Sequence, residues 1–172
     1  MAVARRTRRQ PARTRRSRNL RYTVDASVFV NAFNPHEEGH AESLAFLSAI
    51  HQGGDPIVVP ALLLPEIASA VARVTDDSIG ALQYADATAA LPHLTLVSLT
   101  PAAGRQAAEL AATHRLRGAD AVYVSVARRY GTTLVSRDEE QRSRGSAVVT
   151  CQTPEEALDA RRVAKPTARR RR

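Results

Sequence analysis

The stretch Arg117–Gln141, RGADAVYVSVARRYGTTLVSRDEEQ, decides how the rest of the chain is read. Its first half, GADAVYVSVARRYG, is an apolar run closed by Gly131 and long enough for a buried helix. Its second half, TTLVS, is short and β-branched, which suits a strand. A helix running straight into an apolar strand is a unit of a parallel sheet covered on both faces. A carboxylate stands at the edge of each run, Asp120 near the start of the helix and Asp138 just past the strand.

The same alternation extends in both directions. YTVD is a short strand ending in Asp25, and ASVFVNAF a short helix. Residues 37–52 carry Ala41, Leu44, Ala45, Leu47 and Ser48 on one helical face, and Gly53-Gly54 stops them. PIVVP is a buried strand. ALLLPEIASAVARVT is a helix with Pro65 in its first turn, and DDSIGALQYADATAAL a helix capped by Asp76 or Asp77. HLTLVSLT is a strand, PAAGRQAAELAATHR a helix, SAVVT a strand and PEEALDARR a last helix. Strands that read as continuous apolar runs between helices predict an α/β fold with a mainly parallel central sheet of four to five strands.

Composition sets the limits. A chain of 172 residues with 44% hydrophobic content suits one domain with a real core. With three Phe, four Tyr and no Trp, that core is expected from Ala, Val, Leu and Ile. A single cysteine, Cys151, excludes an internal disulfide, suits a reducing compartment and offers no zinc cluster. The longest charge-free run, Ala87–Gly104, holds two prolines and a histidine, a poor membrane span. The Arg-rich start is not followed by an apolar leader segment, so the expected location is cytoplasmic.

The net charge of +8 conceals a division. Residues 1–21 hold nine Arg and no acid, and the last eight residues add one Lys and four Arg. The middle, 22–164, has 11 Arg against all 17 acids. An acidic domain thus lies between two basic arms, which suit polyanions or serve as solubilising tails.

In open parallel sheets, function sits beyond the carboxyl ends of the strands. Asp25 and Asp138 stand there. Glu66 and Asp120 stand in the first turns of helices. Capping is the ordinary reading of a first-turn acid, and it covers Asp76, Asp77, Glu155 and Glu156; for Asp120 and Glu66 it is a fair rival. Asp25 is harder to dismiss, because it sits among apolar residues where a lone charge is costly. Four carboxylates converging on one cleft would repel and raise one another's pKa unless a hard cation sat among them.

These residues resemble a known family. YTVDASVFVNAF, with Ser27 two residues after Asp25, resembles the opening strand of PIN-domain ribonucleases. LLPEIASAVAR resembles their second motif, and RGADAVYVSVARRYGTTLVSRDEEQ their third and fourth, most like VapC-type toxins of toxin–antitoxin pairs. The resemblance covers roughly Tyr22 to Ala160. It implies a PIN-like three-layer α/β/α sandwich and a Mg²⁺- or Mn²⁺-dependent endoribonuclease acting on RNA. It implies Asp25 and Asp120 as chief metal ligands, Glu66 and Asp138 completing the catalytic set, and Ser27 and Ser136 orienting them. A homodimer and a cognate antitoxin partner carry over as expectations, and no membrane association does.

The expected organisation is a disordered Arg-rich arm at 1–21, a PIN-like nuclease domain at 22–163 and a basic tail at 164–172. Glu139 competes with Asp138 for the fourth acid. Arg117 reads as a solvated helix-end charge, with gripping phosphate as its functional alternative, and Tyr123 as a residue that packs or lines the rim. The rival reading is a non-catalytic RNA- or ribosome-binding protein relying on its arms. A nucleotide-binding domain ranks last, since no phosphate-loop or dinucleotide glycine motif is present.

Overall fold

The computed structural model describes residues 20–164, so residues 1–19 and 165–172 of the two basic arms lie outside the described residues. β1 (Tyr22–Val24) is wholly buried. Asp25 ends it and caps α1 (Ala26–Phe33), accepting from the Ser27 backbone N–H at 2.9 Å. α2 (His40–Gly53) stops at Gly54, whose φ of 61° is left-handed and suits a residue without a Cβ. β2 (Ile57–Pro60) leads into α3 (Leu63–Thr75), with Pro65 in its first turn. Asp77 caps α4 (Ser78–Ala89), accepting from the N–H groups of Ile79 and Gly80 at 3.0 and 2.9 Å. Then come β3 (Leu94–Val97), α5 (Pro101–His114), α6 (Gly118–Tyr130), β4 (Thr133–Val135), α7 (Glu139–Gly145), β5 (Cys151–Gln152) and α8 (Pro154–Ala164).

The five strands lie in the order β3-β2-β1-β4-β5, and every pairing is parallel. This is the three-layer α/β/α sandwich the sequence implies. From β1 the chain winds outward through β2 to β3, then returns to place β4 on the other side of β1. The winding reverses between β1 and β4, so a crevice opens past their carboxyl ends. α6 lies across β1, β2 and β4, and α5 packs along it.

Several local expectations are corrected. SAVVT is not a strand: the N–H groups of Val148 and Val149 both return to the Gly145 carbonyl in a turn, and β5 forms only at Cys151–Gln152. α7 follows β4 where no helix was expected, because EEQRSRG has no apolar stripe. LTLV is an edge strand and only partly buried, which its apolar run does not disclose. The buried face of α2 is Ser43, Phe46 and Ile50 rather than the stripe through Leu44. Both stripes fit a helical period, but Phe46 and Ile50 bury more apolar area, and Ser43 donates to Asn31 Oδ1 at 2.7 Å. Four of the seven aromatic rings, Tyr22, Phe29, Phe46 and Tyr123, are among the largest fully buried side chains, so the core is less purely aliphatic than composition suggests.

α8 is tied to the fold by charge. Arg161 Nε donates to Asp55 Oδ2 at 2.6 Å, with Asp55 only 2% exposed. Its start is a reciprocal cap: the Thr153 N–H reaches Glu156 Oε2 at 3.0 Å and the Glu156 N–H reaches Thr153 Oγ1 at 3.2 Å. Among the described residues, no helix is long and apolar enough to cross a membrane.

Candidate active site

The crevice holds a cleft of about 440 Å³ lined by Asp25, Glu66, Asp120 and Asp138, together with Ser27, Ser69 and Arg73. All four acids singled out in the sequence therefore face one space. Each is delivered by a different element: Asp25 by the end of β1, Glu66 by the first turn of α3, Asp120 by the first turn of α6, and Asp138 by the loop after β4.

Their individual settings differ. Asp25 is 8% exposed; one oxygen accepts from the Ser27 N–H and the other from Gln141 Nε2 at 3.1 Å. Glu66 Oε2 accepts from the Tyr123 hydroxyl at 2.6 Å. Asp138 caps α7, accepting from the Gln141 N–H at 2.8 Å, and its second oxygen lies 3.5 Å from Arg117 Nη1. Asp120 does not cap α6, whose N-cap is Arg117. It lies in the first turn and faces the cleft without a hydrogen-bond donor among the described residues.

The energetics follow from burial and crowding. Burial, then the charges of Asp138 and Asp25, pushes the Asp120 carboxyl up to about 6, with partial relief from Arg117. Burial also holds Asp25 above the usual carboxylate range despite its bonds from Ser27 and Gln141. Glu66 is raised by burial, and by Asp25 and Asp120, against the Tyr123 bond. A cleft that crowds four carboxylates and makes three of them harder to ionise favours a cation.

The supporting loop is braced by hydroxyls. Ser27 Oγ accepts from the Arg137 N–H at 3.0 Å and lies 3.4 Å from Ser136 Oγ, which accepts from the Asp138 N–H at 3.0 Å. Both serines thus orient the backbone around the acids, and Ser27 also donates its N–H to Asp25. Arg137 reaches away to Glu155 Oε1 at 3.0 Å, linking the loop to α8.

Asp138 lines the cleft, whereas Glu139 does not. Arg117 bridges Asp138 and Glu140, the latter at 2.9 Å. Tyr123 is a fully buried donor to Glu66 as well as a packing residue. Two residues of the site, Arg73 and Gln141, carry no functional expectation from the sequence. Arg73 lies seven residues after Glu66, two helical turns along the same face of α3. Gln141 lies three after Asp138, where a capping acid meets its helix.

A family model of the PIN domain matches residues 22–146. The chain belongs to the PIN-domain family. No curated protein sequence matches it significantly. Among solved structures, the PIN fold here is similar to VapC20 of Mycobacterium tuberculosis, described as a toxin cleaving the sarcin–ricin loop: 17% identity, TM-score 0.62, over 71% of this chain and 93% of that one. PAE2754 of Pyrobaculum aerophilum gives 18% identity and a TM-score of 0.61, over 86% and 92%. VapBC2 of Rickettsia felis, solved with a promoter DNA fragment, gives 14% and 0.59, over 78% and 98%. At these identities the likeness is one of fold.

The donor set of this PIN cleft suits a hard divalent ion, since its acids offer carboxylate oxygens. Among the described residues no three His, Cys, Asp or Glu side chains already form a metal-binding group. Mg²⁺ does not require one, being held by one or two carboxylates plus waters and phosphate.

Proposed function

We propose that this protein is a metal-dependent endoribonuclease and the toxin of a toxin–antitoxin pair. The observation that carries the reading is the convergence of Asp25, Glu66, Asp120 and Asp138, drawn from four family motifs, on one cleft at the sheet's switch point. Asp25 and Asp120 would hold Mg²⁺ or Mn²⁺ chiefly, with Glu66 and Asp138 completing the acidic site. The ion supplies activation of water and neutralisation of phosphate charge. Tyr123 keeps Glu66 aimed and Ser27 and Ser136 hold the Asp138 loop. Arg73 lines the cleft and stands ready for a backbone phosphate, and Arg117 can exchange its acid partners for one.

The toxin reading is supported by VapC20 and VapBC2 among the structural neighbours, and by a PIN match that spans most of the acidic domain. It brings with it a cognate antitoxin, a homodimer and a cytoplasmic setting. Residues 22–163 form the nuclease domain, and the basic arms at 1–21 and 164–172 add non-specific affinity for RNA.

The test is cleavage of a mixed RNA pool in Mg²⁺, in EDTA and with Asp120→Asn. Cleavage is expected only for the wild type in Mg²⁺. Full activity in EDTA or in the variant refutes the carboxylate–metal reading; RNA binding without cleavage in any condition would favour the non-catalytic alternative.

A further inference from the structure

Gln141 is wholly buried, in the first turn of a helix with no apolar face. It touches two of the four acids at once. Its side-chain Nε2 donates to Asp25 Oδ1 at 3.1 Å, and its backbone N–H donates to Asp138 Oδ1 at 2.8 Å. Its Oε1 has no hydrogen-bond partner among the described residues. Turning the amide over would set that oxygen against the Asp25 carboxylate, so the bonding fixes its orientation.

A buried amide with an unmatched acceptor costs stability, and an apolar side chain of similar volume would fill the space but leave Asp25 Oδ1 without its donor. Packing therefore does not account for a glutamine here, whereas the geometry of its two bonds does. With the Ser27 N–H on Oδ2 and Gln141 on Oδ1, both Asp25 oxygens are held, which fixes the rotamer of the carboxylate.

We propose that Gln141 is a positioning residue for the proposed metal site: its side-chain amide locks Asp25 while its backbone holds Asp138, setting the two acids relative to each other for a divalent cation. The inference rests on the metal-nuclease reading above. It adds to the site a side chain that is not one of the four acids.

The full-length chain is compared with Gln141→Met, which keeps the volume and removes the donor, and with Gln141→Leu. Mn²⁺ binding is followed by titration calorimetry, RNA cleavage by kcat and KM, and unfolding by heat in EDTA. The variants are expected to stay folded in EDTA and to melt a few degrees below the wild type, because Asp25 Oδ1 loses its donor. They should bind Mn²⁺ roughly 10–100-fold more weakly, as removal of a partner that orients a ligand does, with lower kcat and unchanged RNA KM. A variant that binds Mn²⁺ as the wild type does overturns the positioning role. If both variants fail to fold, the amide is structural and the inference is equally overturned. Wild-type protein that binds no Mn²⁺ overturns the metal reading itself, and this inference with it.

Discussion

Replacing Asp120 with Asn should stabilise the metal-free protein near neutral pH while removing activity. Asp120 titrates at about 6 in the fold against an ordinary value of 3.8. Because the fold holds this proton more tightly than the unfolded chain does, the associated stability is complete below 3.8 and is lost as pH rises through about 6. At about 1.36 kcal/mol per pH unit that difference amounts to about 3 kcal/mol for a dry group. Water around a half-exposed carboxylate, and the attraction of the α6 N-terminus for a first-turn acid, cut it to about 1 kcal/mol. For a domain of this size the corresponding gain in melting temperature is roughly 3 °C. The assay is thermal unfolding of wild type and Asp120→Asn in EDTA at about pH 4 and pH 7, on either side of the folded-state value. The variant should gain on the wild type at the neutral pH and lose that advantage at the acid one. Mg²⁺ at neutral pH should raise the wild-type melting temperature and reverse the order. A variant no more stable than wild type at neutral pH, or an advantage that persists unchanged in acid, would refute the claim that crowded charge strains this cleft.

Arg161→Ala removes one partner of the buried Asp55 carboxylate and should cost about 1.5–3 kcal/mol in urea unfolding; a change below about 0.5 kcal/mol would deny α8 its anchoring role. Tyr123→Phe frees Glu66 Oε2 and should lower kcat by roughly tenfold with RNA affinity kept, measured by single-turnover cleavage. Deleting residues 1–20 should weaken RNA binding and reduce its log–log salt slope by about 0.7 for each phosphate the arm neutralises; an unchanged slope would mean that the arm does not touch RNA.

The parallel sheet was legible because apolar runs such as IVV and TLV alternate with helical periods, and this signal needs no tertiary information. The acids were legible because each sits next to such a run. Gln141 was not, since its role depends on contact with Asp25, 116 positions away, and nothing local announces that pairing. α7 was hidden for a related reason: it is held by the Asp138 cap and by the burial of Gln141 and Gly145, not by an apolar stripe. Capping and cleft-lining also turn out not to be rivals at every acid. Asp25 and Asp138 cap helices while facing the cleft, so capping and cleft-lining coincide there. Asp120 caps nothing, which leaves the cleft as its visible role.

The link from Arg137 to Glu155, the Arg161–Asp55 pair and the β4–β5 pairing all reach past residue 146, where the family match ends. The cleft itself is lined by residues up to Asp138, and the elements around it are tied together by residues that a ribosome adds after all four acids. While translation is under way, the loop bearing Asp138 keeps its serine contacts but lacks its tie to Glu155, and α2 lacks its neighbour α8. A ribosome making this protein should carry an incompletely assembled nuclease until α8 has emerged and docked, as domains generally fold in units as they are made. For an enzyme proposed to cut RNA, that order of assembly would place the docking of α8 after all of its acids have been made.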